Sequence, residues 1–584
     1  MNPSTALATV LVDELLRGGV RDFVLAPGSR STPVALVLAQ LERSGELALH
    51  VRIDERSAGH LALGLAKASG LPVVVLTTSG TAAVNLHPAI VEADESGIPI
   101  IAITADRPPA LRGVGANQAI DQSALFGSAV RRMIDLGQPA PLPGMVRTWR
   151  STIARAVLTA TDPLRPGPIH LNLPLADPLI PDDTQAPWIE SLDGRPDGRP
   201  WSVDGRLIAS MSTPVDDVLA ELDRAEVPRR GVIIVGDHSD PEAVELVDEL
   251  AATMGWPVIS EPSGNAATCE TALAHGPLLL GAASFVDAHQ PQLVLTVGRV
   301  GLARPVMRAI AQCGLHIAVG ANAEWADPTR SADIVVGSVP LPPGEAVIDP
   351  TWLQDWQSAD VLAAAAVETV LATADFSGMH VARIAASAVP AGGVLFIGAS
   401  WPIRHVAALG TSTAQDLVVL ANRGASGIDG AVSTAWGAAL AVQREHPDAQ
   451  MVALLGDLTM LYDDSGLLVP SEEERPNLVY VVSDNNGGGI FSQLEPAQPR
   501  FADDFERVFG TPVPVDLAGL VRSLGVPVEV VTGIDDLRAA ITTAIDSGGV
   551  RVVVARTCSR EIEATIVRDV QDAVAAAIGA DTAR

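Results

Sequence analysis

The chain has 584 residues, 48% hydrophobic and 18% charged, which is too apolar for a disordered protein and enough for several buried cores. A net charge of −30 argues against a nucleic-acid partner or an anionic membrane surface for the chain as a whole. Three scattered cysteines, Cys269, Cys313 and Cys558, argue against a disulfide framework or a CxxC metal site and favour a reducing compartment.

Residues 1–21 are amphipathic and lack the apolar core of a signal peptide, and no apolar run reaches the ~18–20 residues of a membrane span. The expectation is a cytoplasmic protein. Aromatics make up only 3%, so the cores are aliphatic, as in parallel sheets covered on both faces. In chain order, strands are expected at 22–26, 48–53, 73–77 and 98–104, with helices at 5–18, 57–69 and 82–93. Between 179 and 230 periodicity fades and Pro, Asp, Gly and Trp become frequent, so 186–230 reads as a linker. Strands at 231–235, 293–297 and 316–319 form a second block. Strands at 394–397, 417–420, 451–455, 478–482 and 552–555 form a third. The fold class is therefore α/β, with three domains at 1–185, 231–345 and 346–584, each a mainly parallel sheet flanked by helices.

The strongest chemical signal lies in the third block. One apolar strand ends in Gly456-Asp457, and a second ends in the run NNGGG at 485–489. A βαβ unit of this length puts Asp457 and Asn485 at the carboxyl ends of neighbouring strands, where open α/β sheets bind ligands. A carboxylate, an amide oxygen and the Gly487 carbonyl suit Mg²⁺, or Mn²⁺, which completes its oxygen shell from phosphates and water. Glu55 follows the strand at 48–53 and precedes an apolar helix. Arg30, Arg107, Arg404 and Arg423 all follow expected strands at Gly- or Pro-rich turns, which points to a shared anionic pocket.

The motifs RIDERSAG at 52–59, TSGT at 78–81 and the GD…NNG pair resemble the thiamine-diphosphate-dependent superfamily of pyruvate decarboxylases and acetolactate synthases. APGSRSTP at 26–33, TADRPP at 104–109, GANQ at 115–118 and NRGASGIDG at 422–430 resemble one branch more closely, the synthases of the menaquinone pathway. The resemblance implies a pyrimidine-binding domain at 1–185, a middle domain, and a diphosphate- and Mg²⁺-binding domain at 346–584. It implies thiamine diphosphate as cofactor, bound by Pro27, Glu55, Thr81, Ile428, Gly456, Asp457, Leu458, Thr459, Asn485, Gly487 and Ile490. In that chemistry a carboxylate, here Glu55, favours the imino tautomer of the aminopyrimidine, whose nitrogen removes the C2 proton. Such a carboxylate works best in an apolar pocket that raises its pKa. Gln118 would orient a substrate or hold a relay water, and Ile428 would be the wedge under the bent cofactor.

The branch decarboxylates 2-oxoglutarate and adds the four-carbon succinyl carbanion equivalent to isochorismate, so both substrates are dicarboxylates. Ser29, Arg30, Arg107, Asn117, Gln118, Arg304, Ser400, Arg404, Arg423, Ile490 and Phe491 would contact them. Arg304 departs from the pattern, because Pro305 follows where a second basic residue is common. Asp484 and the Leu458-Thr459 pair also depart from the commonest superfamily motifs. The superfamily assembles active sites at a subunit interface, so a homodimer or a dimer of dimers is implied. Two other readings stay open: an acetolactate-synthase-like carboligase of 2-oxoacids, and a non-catalytic nucleotide-binding regulatory protein. A dehydrogenase is disfavoured, because no strand leads into a clean GxGxxG.

Overall fold

The computed structural model describes residues 1–181, 187–204, 212–222, 226–238, 240–320, 325–410 and 417–582. It contains three sheets in which every strand pairing is parallel. The first consists of β1 (Asp22–Leu25), β2 (Ala48–Val51), β3 (Val73–Thr77), β4 (Ile100–Asp106), β5 (Arg132–Asp135) and β6 (Ile169–Pro174), in the order β2-β1-β3-β4-β6-β5. The second consists of β7 (Gly231–Val235), β8 (Val258–Ser260), β9 (Leu293–Val297), β10 (His316–Val319) and β11 (Ile334–Val336), in the order β11-β10-β9-β7-β8. The third consists of β12 (Val394–Ile397), β13 (Val418–Ala421), β14 (Met451–Gly456), β15 (Leu478–Asp484), β16 (Val528–Val531) and β17 (Val550–Arg556), in the order β13-β12-β14-β15-β17-β16. Central strands such as β3, β4 and β9 are buried along their whole length, as their mainly aliphatic sequences require.

In each sheet the strand order reverses near the first strand, at β1/β3, β7/β9 and β12/β14, and the first and third sheets reverse again at their far edge, β4-β6-β5 and β15-β17-β16. The crevice outside the carboxyl ends at such a point is where open α/β sheets hold ligands. In the second sheet this crevice is bridged. Asp237 N donates to Arg299 O at 3.0 Å and Arg299 N to Asp237 O at 2.9 Å. A Cβ on Gly236 would stand 2.2 Å from Arg299 O.

The chain forms two compact units. One carries the first sheet and also takes in Gly424–Asp448 and Tyr462–Pro476; the other carries the second and third sheets. In the first unit the helix Ala431–Glu445 packs on the helix Glu55–Ser69 with the two backbones in contact. A Cβ on Gly64 would stand 2.0 Å from Thr434 O, and one on Gly437 would stand 2.2 Å from Leu61 O.

Three expectations need correction. Part of the span read as a linker is structured: the helix Val215–Ala220 buries Val215, Val218 and Leu219 in the core of the second sheet. Trp188 and Leu192 pack against the first core. The Asp and Pro residues around these apolar positions obscure their spacing; residues 205–211 and 223–225 lie outside the described residues. The single helix expected at 82–93 is two, Thr81–Val84 and His87–Ser96, broken before Pro88. Finally, β5, β6, β8, β11 and β16 are strands that the sequence pattern does not announce. Among the described residues no helix is long and apolar enough to cross a membrane.

Candidate active site

Asp457 follows β14 directly and opens the helix Asp457–Tyr462. Its carboxylate is buried, and Oδ2 accepts a hydrogen bond from Gly487 N at 2.7 Å. Burial raises its pKa to about 7, aided by the charge of Asp484 and opposed by the backbone N–H groups of Leu458 and Gly487. Asn485 follows β15. Its Nδ2 donates to Glu563 Oε2 at 2.9 Å, which turns Oδ1 the other way, where it is buried without a hydrogen-bond partner. Gly487 has φ 131°, and a Cβ there would stand 2.2 Å from Gly510 O, so only glycine fits. A desolvated carboxylate and an orphaned amide oxygen at neighbouring strand ends fit a hard divalent cation. Among the described residues no cluster of three His, Cys, Asp or Glu side chains could hold a metal, so a cation here would take its other ligands from backbone, phosphate and water. A cavity of about 380 Å³ adjoins this point, lined by Asp457, Asp484, Asn485, Arg556 and Arg560 among others. Thr459 is buried beside it; Gly456, Leu458 and Ile490 are half-buried.

The same unit carries Arg404 and Arg423. Ser400, the residue before the helix Trp401–Leu409, is held at φ 74°, and its carbonyl accepts from Arg404 Nη1 at 2.8 Å. The pKa of Arg404 is lowered by burial and by the nearby charge of Arg423, with Glu261 opposing. Glu261, after β8, is itself buried and receives Gly301 N and Leu302 N at 2.7 Å each. Arg304 stands apart: its side chain is 74% exposed and meets only the exposed Glu495, at 3.4 Å. Phe491 packs against Phe509 beyond the glycine run.

In the first unit the loops after β1 and β3 touch, since a Cβ on Gly28 would stand 2.3 Å from Thr78 Cβ. Pro27, Ser29 and Thr81 are exposed there. Arg30 is buried. Its Nη1 donates to Leu175 O at 3.0 Å, while Nε is buried with no partner. Arg107, also buried, donates through Nε to Asn117 O at 3.1 Å; burial and the charge of Arg30 lower its pKa. Gln118 adopts φ 58°, and its Nε2 donates to Ser79 O at 2.8 Å. Its side-chain amide is thus engaged in holding the loop before Thr81.

Glu55 is the first residue of the helix Glu55–Ser69, capped by Asp54. It is half-buried within its unit rather than enclosed in an apolar pocket. Ile428 is half-buried in the loop after Gly424. That loop has an anchor which motif reading missed. The buried carboxylate of Glu92 accepts the backbone N–H groups of Gly424 (2.8 Å), Ala425 (2.6 Å) and Ser426 (3.2 Å). Three successive donors form an anion nest. Glu92 and Glu563 lie 332 and 78 residues from their partners, so no local pattern exposes them. A Glu on an otherwise apolar helix face was the only available signal.

Parallel sheets with a cation-ready GD…NNG pair, a helix-terminal Glu55 and paired arginines define an enzyme of the thiamine-diphosphate class. Two family profiles agree: "Thiamine pyrophosphate enzyme, N-terminal TPP binding domain" matches residues 5–125, and "Thiamine pyrophosphate enzyme, C-terminal TPP binding domain" matches 408–555. The chain is 46% identical to the 2-succinyl-5-enolpyruvyl-6-hydroxy-3-cyclohexene-1-carboxylate synthase of Thermobifida fusca, over 99% of this chain and 100% of that protein. Synthases of the same name from Saccharopolyspora erythraea and Mycobacterium marinum are 43% and 39% identical, over 96% and 97% of this chain and 97% and 99% of theirs. The chain belongs to this synthase family.

Proposed function

We propose that the enzyme decarboxylates 2-oxoglutarate and adds the four-carbon succinyl unit to isochorismate in a 1,4-addition. The products are 2-succinyl-5-enolpyruvyl-6-hydroxy-3-cyclohexene-1-carboxylate and CO2, and the step belongs to menaquinone biosynthesis. The observation that carries this reading is the placement of two arginine pairs at strand ends: Arg30 and Arg107 are buried after β1 and β4, and Arg423, buried after β13, stands near the half-buried Arg404 that follows β12. Planar guanidinium pairs suit dicarboxylates.

Arg30, Arg107, Arg404 and Arg423 take the carboxylates, and Ser29, Asn117, Gln118 and Ser400 shape the turns around them. Arg304, exposed on the surface, contributes least. Asp457, Asn485 and the Gly487 carbonyl hold Mg²⁺, or Mn²⁺. Pro27, Thr81, Ile428, Gly456, Leu458, Thr459 and Ile490 seat the cofactor, and Phe491 walls the substrate. Thiamine diphosphate, when bound, supplies the electron sink for decarboxylation. Glu55 exchanges the activating proton. A homodimer or dimer of dimers with active sites at the subunit interface is part of this reading. The location is cytoplasmic.

Enzyme mixed with thiamine diphosphate, Mg²⁺, 2-oxoglutarate and isochorismate should yield the named product by mass spectrometry, with slow consumption of 2-oxoglutarate when isochorismate is left out. Rapid turnover of pyruvate with no ring acceptor would instead favour an acetolactate-type carboligase.

A further inference from the structure

Glu563 lies in the first turn of the helix Arg560–Thr582, near the far end of the third block. It is 1% exposed. One carboxylate oxygen, Oε2, accepts Asn485 Nδ2 at 2.9 Å, and the other, Oε1, lies 3.0 Å from His405 Nε2. His405 is buried on the helix Trp401–Leu409, next to Arg404. The fold makes room for this carboxylate, since a Cβ on Gly378 would stand 2.1 Å from Oε1. Burying a carboxylate is costly, and two donors aimed at its two oxygens offset that cost.

The arrangement has a directional result. An amide has one acceptor and one donor end, and only the acceptor end can bind a cation. Because Glu563 accepts and cannot donate, it fixes which way the Asn485 amide faces, and Oδ1 is the atom left buried and unpartnered. We propose that Glu563 is a positioning residue for the divalent cation, holding Asn485 with Oδ1 toward the metal and tying that ligand through His405 to the helix that carries Arg404. This rests on the assignment of Asp457, Asn485 and Gly487 to the cation.

The test is a Mg²⁺ titration by calorimetry on chelator-stripped enzyme with saturating thiamine diphosphate. In Glu563→Gln, the oxygen of the introduced amide can still accept from His405, but its NH₂ group then faces the Asn485 amide. Asn485 must turn its own oxygen to that NH₂ group, away from the metal. Mg²⁺ affinity should fall ~10–100-fold, the usual cost of losing a partner behind a metal ligand. The double variant Asn485→Asp with Glu563→Gln exchanges the amide and the carboxylate. Its new carboxylate accepts from the new NH₂ group and keeps an oxygen for the metal, so affinity should return to within about threefold of the parent.

A purely structural role would lower the melting temperature of the metal-free protein and leave Mg²⁺ affinity unchanged. Unchanged affinity in Glu563→Gln overturns the proposal. So does an exchange variant that binds no better than Glu563→Gln or does not fold. If Glu563→Gln itself fails to fold, the exchange variant alone decides. Asp457→Ala in the same titration separates the two levels. If it binds Mg²⁺ like the parent, the cation assignment falls as well. If it loses Mg²⁺ while Glu563→Gln does not, only the positioning role is overturned.

Discussion

At the scale of single residues, the chemistry divides between groups that touch ligands and groups that aim them. Glu55 is proposed to be of the first kind. Replacing it by Gln keeps the shape and removes the proton exchange. Glu55→Gln should bind thiamine diphosphate with nearly unchanged affinity by calorimetry, while product formation falls ~10²–10⁴-fold. Retained turnover would remove Glu55 from the mechanism. The meeting of Asp457 and Asn485 at neighbouring strand ends, beside Gly487, was legible in sequence because strand ends and glycine runs leave a local signature. Glu92 and Glu563 could not, since what makes them matter is a partner brought close only by folding. Gln118 shows a third case: its motif draws attention to it, but the structure commits its side-chain amide to the Ser79 carbonyl.

At the scale of elements, strands read well where burial is complete. The run at β12 is wholly apolar, β3 and β9 carry one threonine each, and none of the three needs context. By contrast β5, β11 and β16 lie at sheet edges, where half-exposed residues break the pattern. β6 is central, yet it carries His170 and Asn172, both buried and hydrogen-bonded to Thr104 on the next strand. A buried polar network looks like a loop in sequence, because polarity is read there without its partners. The crossing of Glu55–Ser69 with Ala431–Glu445 was likewise hidden, since a helical glycine does not announce which backbone it meets. A methyl group at Gly437 would overlap Leu61 O, so Gly437→Ala should destabilise by at least the ~1–3 kcal/mol of an overpacked core. Chemical denaturation would check this, and a neutral result would mean that the helices can slide apart.

For the molecule as a whole, a net charge of −30 repels the dicarboxylates that the arginine turns are proposed to receive. The cationic pairs must therefore act at short range, inside the sites. Cofactor linkage is the broadest test. Thiamine diphosphate with Mg²⁺ at about one hundred times its dissociation constant should stabilise the fold by ~2.7 kcal/mol and raise the melting temperature by a few degrees. No shift with cofactor, or an equal shift with a nucleotide, would contradict the class.

The buried Asp457 carboxylate and the unpartnered Asn485 oxygen have one more consequence, in the life of the protein rather than its chemistry. Without a cation these two groups bear desolvation that the Gly487 N–H offsets only in part, so the chain lacking its vitamin-derived cofactor should be the less durable form. Cells continually degrade whatever fraction of a protein is unfolded, and small changes in stability alter abundance severalfold. When thiamine is scarce the enzyme's half-life should fall with it, which a pulse-chase measurement in thiamine-limited and thiamine-replete cells would check.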